Sequence, residues 1–149
     1  MAGKLKISGL QGLAAGEDFY INKGDSVVIG RSRRCDISMR QCLRYLELSP
    51  EERSAQHHFH TVSRQHARVS FYSTDSVEVV DLSSNGTFVD DRKVDKRILT
   101  DLGVNPHVLR LGTQETFRLQ IVETDAPAIV PGRGISDPDA RETQITRVK

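Results

Sequence analysis

The sequence predicts an all-β fold, a β-sandwich in which helices are not the organising element. The first observation is a series of short runs that alternate apolar and polar residues and are separated by turn residues. The second is that helical spacing is confined to one stretch in the middle of the chain. The third is a change of composition after Val122, which predicts a domain over residues 1–122 and a flexible tail over 123–149.

The predicted strands follow one another along the first part of the chain. In order, they are KLKI, DFYI, SVVIG, CDISM, HARVSFY, SVEVVDL, GTFVD, VLRLG and TFRLQIV. In HARVSFY, for example, Ala67, Val69 and Phe71 alternate with His66, Arg68 and Ser70. This period of two is typical of a strand with one buried face.

A helical insertion is predicted near residues 40–60, between the CDISM strand and the HARVSFY strand. Leu43, Leu46 and Tyr45 recur at helical spacing. Ser49, followed by Pro50 and Glu52, is typical of an N-cap with a proline in the first turn and a capping-box glutamate. A loop of about twenty residues inside a compact domain is uncommon unless it is functional or ordered by its own elements.

The predicted tail begins ETDAPAIVPGRG and ends ETQITRVK. It holds three of the five prolines and no aromatic residue, which indicates a flexible segment. Its end regains β-branched residues, and Thr143 and Thr146 lie there as candidate phosphorylation sites.

Composition limits the classes of partner. Lys and Arg number 21 against 20 Asp and Glu, so net charge gives no reason to expect nucleic acid. Cys35 and Cys42 are too few for a disulfide framework and favour a reducing compartment. Neither a secretory signal nor an apolar run long enough to span a bilayer is present, so we expect a soluble, cytoplasmic protein without a membrane partner. The short basic run RSRRC is interpreted as a solvated face.

Polar residues gather at three predicted loops. Arg31 follows the strand that ends at Gly30, where a guanidinium can project from the rim of a sandwich. Ser63 lies just before the HARVSFY strand, and Asn85 precedes Gly86 in a tight-turn signal between two apolar runs. Such a set offers cationic, hydroxyl and amide groups without an activated nucleophile, which indicates an anion receptor rather than a reaction centre.

Three motifs carry a family resemblance: GRS at residues 30–32, SRQH at 63–66 and NGT at 85–87. Together, in this order and with β-runs between them, they resemble the signature of forkhead-associated (FHA) domains over about residues 4–122. The resemblance implies a β-sandwich of about eleven strands whose loops at one end bind phosphothreonine peptides. The insertion near residues 40–60 departs from the family, in which a few residues usually join these strands.

The resemblance also implies roles for individual residues. Arg31 and Ser63 would hold the phosphate, and Ser84 would add a donor. Asn85 would bond the ligand main chain just after the phosphothreonine, and Arg64 would contact the peptide or the phosphate. The residues with an architectural role would be Gly30, His66 and Gly86.

The function expected from these observations is non-catalytic binding of phosphothreonine peptides, as an adaptor or regulator in Ser/Thr kinase signalling, with no cofactor and no metal. A phosphorylated tail could bind to its own domain or to a neighbouring molecule. Two alternatives stay open. One is a phosphate-independent interaction domain, and the other is a metal-dependent hydrolase that uses the insertion histidines His57, His58 and His60 with His66 and Cys42.

Overall fold

The architecture is a sandwich of two β-sheets, seen in a computed structural model that describes residues 2–132. The eleven strands of this part of the chain are β1 (Ala2–Gln11), β2 (Asp18–Ile21), β3 (Ser26–Gly30), β4 (Ile37–Ser38), β5 (Ala67–Ser73), β6 (Ser76–Asp81), β7 (Thr87–Val89), β8 (Arg92–Val94), β9 (Lys96–Leu99), β10 (His107–Leu111) and β11 (Glu115–Thr124). One sheet has the order β2-β1-β11-β10-β7-β8, and the other β4-β3-β5-β6-β9. The predicted all-β sandwich is confirmed.

The core lies between the sheets and follows the alternation read from the sequence. Val69 and Phe71 of β5 are 0% and 1% exposed, and Leu109 and Phe117 of the other sheet are fully buried. Burying an aliphatic or aromatic side chain of this size contributes about 1.5–3 kcal/mol. The short strands β8 and β9 were not among the runs singled out, because their alternation is masked by charged residues such as Arg92 and Lys96.

The insertion folds as a chain of short helices. A 3₁₀ turn at Met39–Gln41 is followed by α1 (Leu43–Leu46), α2 (Pro50–Ser54) and a second 3₁₀ turn at His57–Thr61. Before α2, the Ser49 hydroxyl accepts from the Glu52 amide at 3.1 Å, and the Glu52 carboxylate accepts from the Ser49 amide at 2.8 Å. The predicted capping box is confirmed.

The side of the insertion that packs against the sandwich is not the side that the helical spacing in the sequence predicts. Leu43 and Leu46 are 62% and 54% exposed, whereas Tyr45 is buried against Phe59 with ring centroids 5.1 Å apart. An α1 of four residues is too short to present a full apolar stripe, so contacts with the sandwich decide which side is covered. The insertion residues that join the main core are Met39, Cys42, Tyr45, Phe59 and Val62.

The C-terminal end of the described chain runs along the sandwich. Strand β11 extends to Thr124, two residues beyond the predicted boundary at 122. The Ile129 amide then donates to Tyr20 O at 2.8 Å, and the Gly132 amide donates to an Asp36 carboxylate oxygen at 3.0 Å. Thr143 and Thr146 lie outside the described residues. Between residues 2 and 132, no helix has the length and apolarity needed to cross a membrane.

Candidate functional site

The three loops predicted to form a site lie side by side at one end of the sandwich. The Arg31 amide donates to Ser63 O at 2.9 Å, and the Ser32 amide donates to Arg64 O at 3.1 Å. The Ser84 amide donates to the Ser63 hydroxyl at 3.1 Å. Residues 31, 63 and 84 are therefore linked by direct hydrogen bonds although they are far apart in the chain.

Gly30 permits the closest of these approaches. A Cβ atom at this position would lie 2.3 Å from the carbonyl oxygen of Arg64, well inside van der Waals contact. Only glycine lets the end of β3 pass the Arg64 backbone at this distance. The loop that follows, with Arg31 at its start, is thereby placed against the Ser63 loop.

His66 braces the loops from inside. Its ring is 0% exposed; Nδ1 accepts from the Ser63 amide at 2.9 Å, and Nε2 lies 2.8 Å from Gly86 O. Because Nδ1 accepts, the proton is on Nε2, which donates to the Gly86 carbonyl. Burial lowers the pKa of His66, since the charged form is disfavoured away from water, and the bond to Gly86 opposes this only in part. The ring links the Ser63 loop to the Asn85–Gly86 turn.

A second brace, which the sequence analysis missed, is centred on Asp81. One carboxylate oxygen accepts from the Ser83 amide at 3.0 Å, the Ser83 hydroxyl at 2.6 Å and the Thr87 hydroxyl at 2.7 Å. Burial alone raises the pKa of Asp81, but these hydrogen bonds outweigh it and the net pKa is lowered. In the sequence, Asp81 stands two residues before Ser83 at the end of a predicted strand, and this spacing favours a turn closed by the aspartate side chain. This brace holds the loop that carries Ser84 and Asn85.

Arg31 is oriented by its own hydrogen bond. Its Nε donates to Val62 O at 3.0 Å, and its guanidinium carbon lies 5.8 Å from the centre of the buried Phe59 ring. Arg31 also lines a surface pocket at this end. Ser63 Oγ accepts from the Ser84 amide, and a hydroxyl that accepts still has a proton to donate.

Asn85 is exposed at the tip of its loop. Its side-chain nitrogen donates to Thr61 O at 3.0 Å, and the next residue, Gly86, has a φ of 102°, in the left-handed region. The Gly86 amide is in turn held by the Ser83 hydroxyl at 2.8 Å. The turn chemistry predicted for Asn85–Gly86 is present, and the loop holds the asparagine beside the insertion.

A strongly basic pocket of about 350 Å³ lies at this end. It is lined by Arg31, Ser32, Arg33, Arg34, Arg40 and Arg64. Each arginine side chain carries a positive charge, so the pocket is a site of positive potential. The first four residues of the run RSRRC, at positions 31–34, therefore lie together in this pocket, and Arg40 comes from the insertion.

The metal alternative has no support in the described part of the chain. No group of three or more His, Cys, Asp or Glu residues that could hold an ion occurs there. Both ring nitrogens of His66 are hydrogen-bonded to backbone atoms, and Cys42 Sγ donates to Ser38 O at 3.4 Å. His57 and His60 are exposed on the second 3₁₀ turn of the insertion.

Comparison with sequence families identifies the family of this chain. The FHA domain profile matches residues 27–114, which is more than half of the chain and includes all three loops. The chain belongs to the FHA domain family. The resemblance carried by GRS, SRQH and NGT is therefore confirmed, and FHA domains are generally non-catalytic interaction modules. Among curated protein sequences, none is significantly similar to this chain.

Solved structures agree with this fold. This FHA domain is similar to the FHA domain of an Arabidopsis thaliana hypothetical protein, with 19% identity, a TM-score of 0.60, and coverage of 85% of this chain and 92% of the other. The FHA domain of the CT664 protein from Chlamydia trachomatis is 22% identical to this chain, with a TM-score of 0.55. The match covers 81% of this chain and 98% of the other. An FHA domain studied for phosphothreonine-dependent interactions is 21% identical to this chain, with a TM-score of 0.55. The match covers 81% of this chain and 99% of the other. At these identities the likeness supports the fold alone.

Proposed function

We propose that this FHA domain binds phosphothreonine-containing peptides at the end of the sandwich formed by its three signature loops. The observation that carries the proposal is the convergence of Arg31, Ser63 and Ser84 beside a pocket lined by arginines. A phosphorylated side chain has a charge of about −1.5 to −2 and three strong acceptor oxygens. An oriented guanidinium and a hydroxyl proton match that chemistry.

Each residue has a distinct role in the proposed complex. Arg31 and the Ser63 hydroxyl donate to the phosphate, and Ser84 adds a donor from the neighbouring loop. Asn85 bonds the ligand main chain after the phosphothreonine, and Arg64 contacts the peptide or the phosphate. Three charge-assisted hydrogen bonds of about 1.5–3 kcal/mol each, reduced by ordering costs, are consistent with an affinity near micromolar, about −8 kcal/mol.

The proposed biological role is that of a non-catalytic adaptor or regulator downstream of a Ser/Thr kinase in the cytoplasm. Its support is membership of a family of interaction modules and the absence of a nucleophile–base pair from the residues that converge at the loops. One neighbouring structure comes from a study of phosphothreonine-dependent FHA interactions, which favours the same ligand class here.

Replacing Arg31 tests the proposal. We expect Arg31→Ala to weaken binding of a phosphothreonine peptide by at least about tenfold, since one charge-assisted bond is worth more than 1.4 kcal/mol. The measurement is isothermal titration calorimetry, with peptides taken from a phosphothreonine library. Arg68→Ala is the matched control, because Arg68 is an exposed arginine on β5 outside the pocket.

Three outcomes separate the alternatives. Tight binding of phosphorylated but not unphosphorylated peptide, lost with Arg31→Ala and kept with Arg68→Ala, supports the proposal. Equal binding of both peptide forms would mean a phosphate-independent interaction domain. Unchanged affinity in Arg31→Ala would remove this residue from the site.

We also propose that the C-terminal tail is a ligand of this domain when it is phosphorylated on Thr143 or Thr146. The Gly132 amide is hydrogen-bonded to Asp36, which lies on the same loop as Arg33 and Arg34. About eleven residues separate Gly132 from Thr143, and an extended chain of that length reaches about 36 Å. The basic pocket is therefore within reach of either threonine.

Kinase treatment followed by mass spectrometry tests the tail proposal. We expect phosphate on Thr143 or Thr146 and, in the phosphorylated protein, reduced binding of an added phosphopeptide because the tail competes at high effective concentration. The double variant Thr143→Val, Thr146→Val is the control and should bind the added peptide as the untreated protein does. Phosphorylated protein that binds added peptide with undiminished affinity would contradict self-binding.

A further inference from the structure

The basic pocket carries more positive charge than one phosphothreonine neutralises. Five arginines line it, against a ligand charge of about −2. The acidic residue within the same segment, Asp36, accepts hydrogen bonds from the backbone amides of Val28 and Gly132 with its two oxygens. The formal charge of the lining arginines therefore exceeds the charge of one phosphothreonine.

Arg40 lines the pocket from the insertion and, like Arg31, lies near the Phe59 ring. Its guanidinium carbon lies 5.9 Å from the centre of the Phe59 ring, and that of Arg31 lies 5.8 Å from the same centre. Phe59 is 2% exposed, so this shared ring is fixed in the core. An aromatic face attracts guanidinium groups, which reduces their freedom before any ligand arrives.

The segment that carries Arg40 is anchored on both sides. Met39 before it is fully buried, and Cys42 after it is 2% exposed. The Arg40 amide donates to the Ser38 hydroxyl at 3.2 Å, and the Leu43 amide donates to a Glu17 carboxylate oxygen at 3.0 Å. Arg40 therefore stands on an ordered platform, and preorganised charges bind a ligand with less loss of side-chain entropy.

The pocket is also larger than one phosphoryl group. Its volume is about 350 Å³. A phosphate ester presents four oxygens around one phosphorus atom, so it fills only part of this space. Among the arginines that line it, Arg33 and Arg34 come from the loop after Arg31, and Arg40 comes from the insertion.

We propose that Arg33, Arg34 and Arg40 form a second anion subsite beside the phosphothreonine site, and that the preferred ligand has a second anionic side chain close to its phosphothreonine. This inference rests on the proposed function and deepens it by specifying the ligand. The shared chemistry is a negatively charged oxygen group, supplied by a second phosphorylated residue or by Asp or Glu. Bidentate guanidinium recognition suits both.

The inference also assigns a role to the insertion. A domain with a short connection between β4 and β5 would lack both Arg40 and the Phe59 ring, because both belong to residues 39–61. The insertion thus selects among phosphopeptides.

The test uses peptide series that share one phosphothreonine. The first peptide has neutral neighbours, the second series places one Glu at each position from four before to four after the phosphothreonine, and the third places phosphoserine at the same positions. Affinity is measured by fluorescence anisotropy at low and high salt. We expect a second anion to tighten binding by about tenfold at its best position, and this gain to shrink in high salt as the charges are screened.

Arg40→Met is the decisive variant, because methionine keeps an apolar stem over Phe59 but removes the charge. We expect the affinity ratio between the best dianionic peptide and the neutral-neighbour peptide to fall from about tenfold to roughly threefold. Arg44→Met is the matched control: Arg44 is an exposed arginine of the same insertion that lines a different surface depression with Gly12 and Leu13. The ratio should stay unchanged in this control, and thermal melting checks that both variants are folded.

The outcomes distinguish this inference from the proposed function. Binding of the neutral-neighbour phosphopeptide without any gain from a second anion would overturn the second subsite and leave the phosphothreonine site intact. A gain that is equally large in Arg40→Met would also overturn it. Failure of every phosphopeptide to bind would instead refute the proposed function. A larger gain from phosphoserine than from Glu would identify a second phosphate as the source of the anion, and the reverse would identify a carboxylate.

Discussion

At the scale of single residues, the loops of this FHA domain are held by a buried histidine and a half-buried aspartate whose hydrogen bonds are made within the protein. His66 uses both ring nitrogens, on the Ser63 amide and the Gly86 carbonyl, and Asp81 gathers Ser83 and Thr87. A buried polar group is tolerable only when it is hydrogen-bonded, so each brace allows few loop conformations. The exposed residues Ser84 and Asn85 are thereby set in place without taking part in the core.

Gly30 gives the sharpest prediction at this scale. Gly30→Ala would place a Cβ 2.3 Å from the Arg64 carbonyl oxygen, and because that oxygen is a backbone atom, the two segments must separate. We expect a loss of about 1–3 kcal/mol in the free energy of unfolding, the usual range for overpacking. Urea denaturation is the measurement.

Gly103→Ala is the control for Gly30→Ala. A Cβ at Gly103 would meet no atom within 4 Å, so this substitution should leave the urea midpoint nearly unchanged. Equal midpoints for the two variants would show that the close approach at Gly30 is not a packing constraint.

At the scale of elements, a histidine between two aspartates ties the start of β10 to the β7–β8 turn and to the connection that joins the two sheets between β9 and β10. His107 at the start of β10 lies 2.5 Å from Asp90 in the β7–β8 turn and 2.6 Å from Asp101 in the β9–β10 connection. Asp90 also accepts from the Val108 amide, and Asn105 donates to Asp101. The turn itself is tight, with Asp90 and Asp91 at φ of 51° and 67°. The cluster fixes the end of β7 remote from Asn85.

The same cluster predicts a pH dependence of stability. Burial lowers the pKa of His107, but its bonds to Asp90 and Asp101 outweigh this and raise the net pKa above 6.5. The folded state therefore binds the proton more tightly than the unfolded state. The stability due to His107 is full below about pH 6.5 and is lost as pH rises through the folded pKa.

Urea denaturation between pH 6 and pH 8 checks this dependence. We expect the free energy of unfolding of the wild type to fall over that range relative to His107→Gln, which cannot titrate. The pKa of His66 is lowered in the folded state, so its contribution to stability is lost as pH drops below 6.5, the opposite sense to His107. Because the wild type and His107→Gln both contain His66, this contribution cancels when the two are compared. Parallel pH profiles for the two proteins would contradict the assignment to His107.

At the scale of the whole molecule, the sandwich places the three signature loops at one end and the His107 cluster at the end of β7 remote from Asn85. The signature loops follow β3, precede β5 and precede β7, and these strands belong to both sheets. The insertion after β4 packs into the common core through Phe59 and Val62 and adds Arg40 to the same end. The last described residue, Gly132, lies beside Asp36 of the β3–β4 loop. The proposal that the phosphorylated C-terminal tail binds this domain is based on that position.

The amino-acid sequence by itself determined the class of fold, most of the strands, the capping box at Ser49 and the three motifs that identify the family. These are local properties: alternation, turn chemistry and helix caps depend on residues only a few positions apart. The sequence also predicted that Arg31, Ser63 and Asn85 lie at one end of the sandwich, because the family resemblance of their motifs implies loops that meet at one end.

Only the tertiary structure decided which distant groups meet. The placement of Arg31 and Arg40 on one Phe59 ring, the Asp81 brace and the burial of Tyr45 in place of Leu43 and Leu46 depend on strand register and on how the insertion covers the core. Such contacts join residues separated by loops, and each is selected by the packing of the whole core rather than by the preference of a short segment.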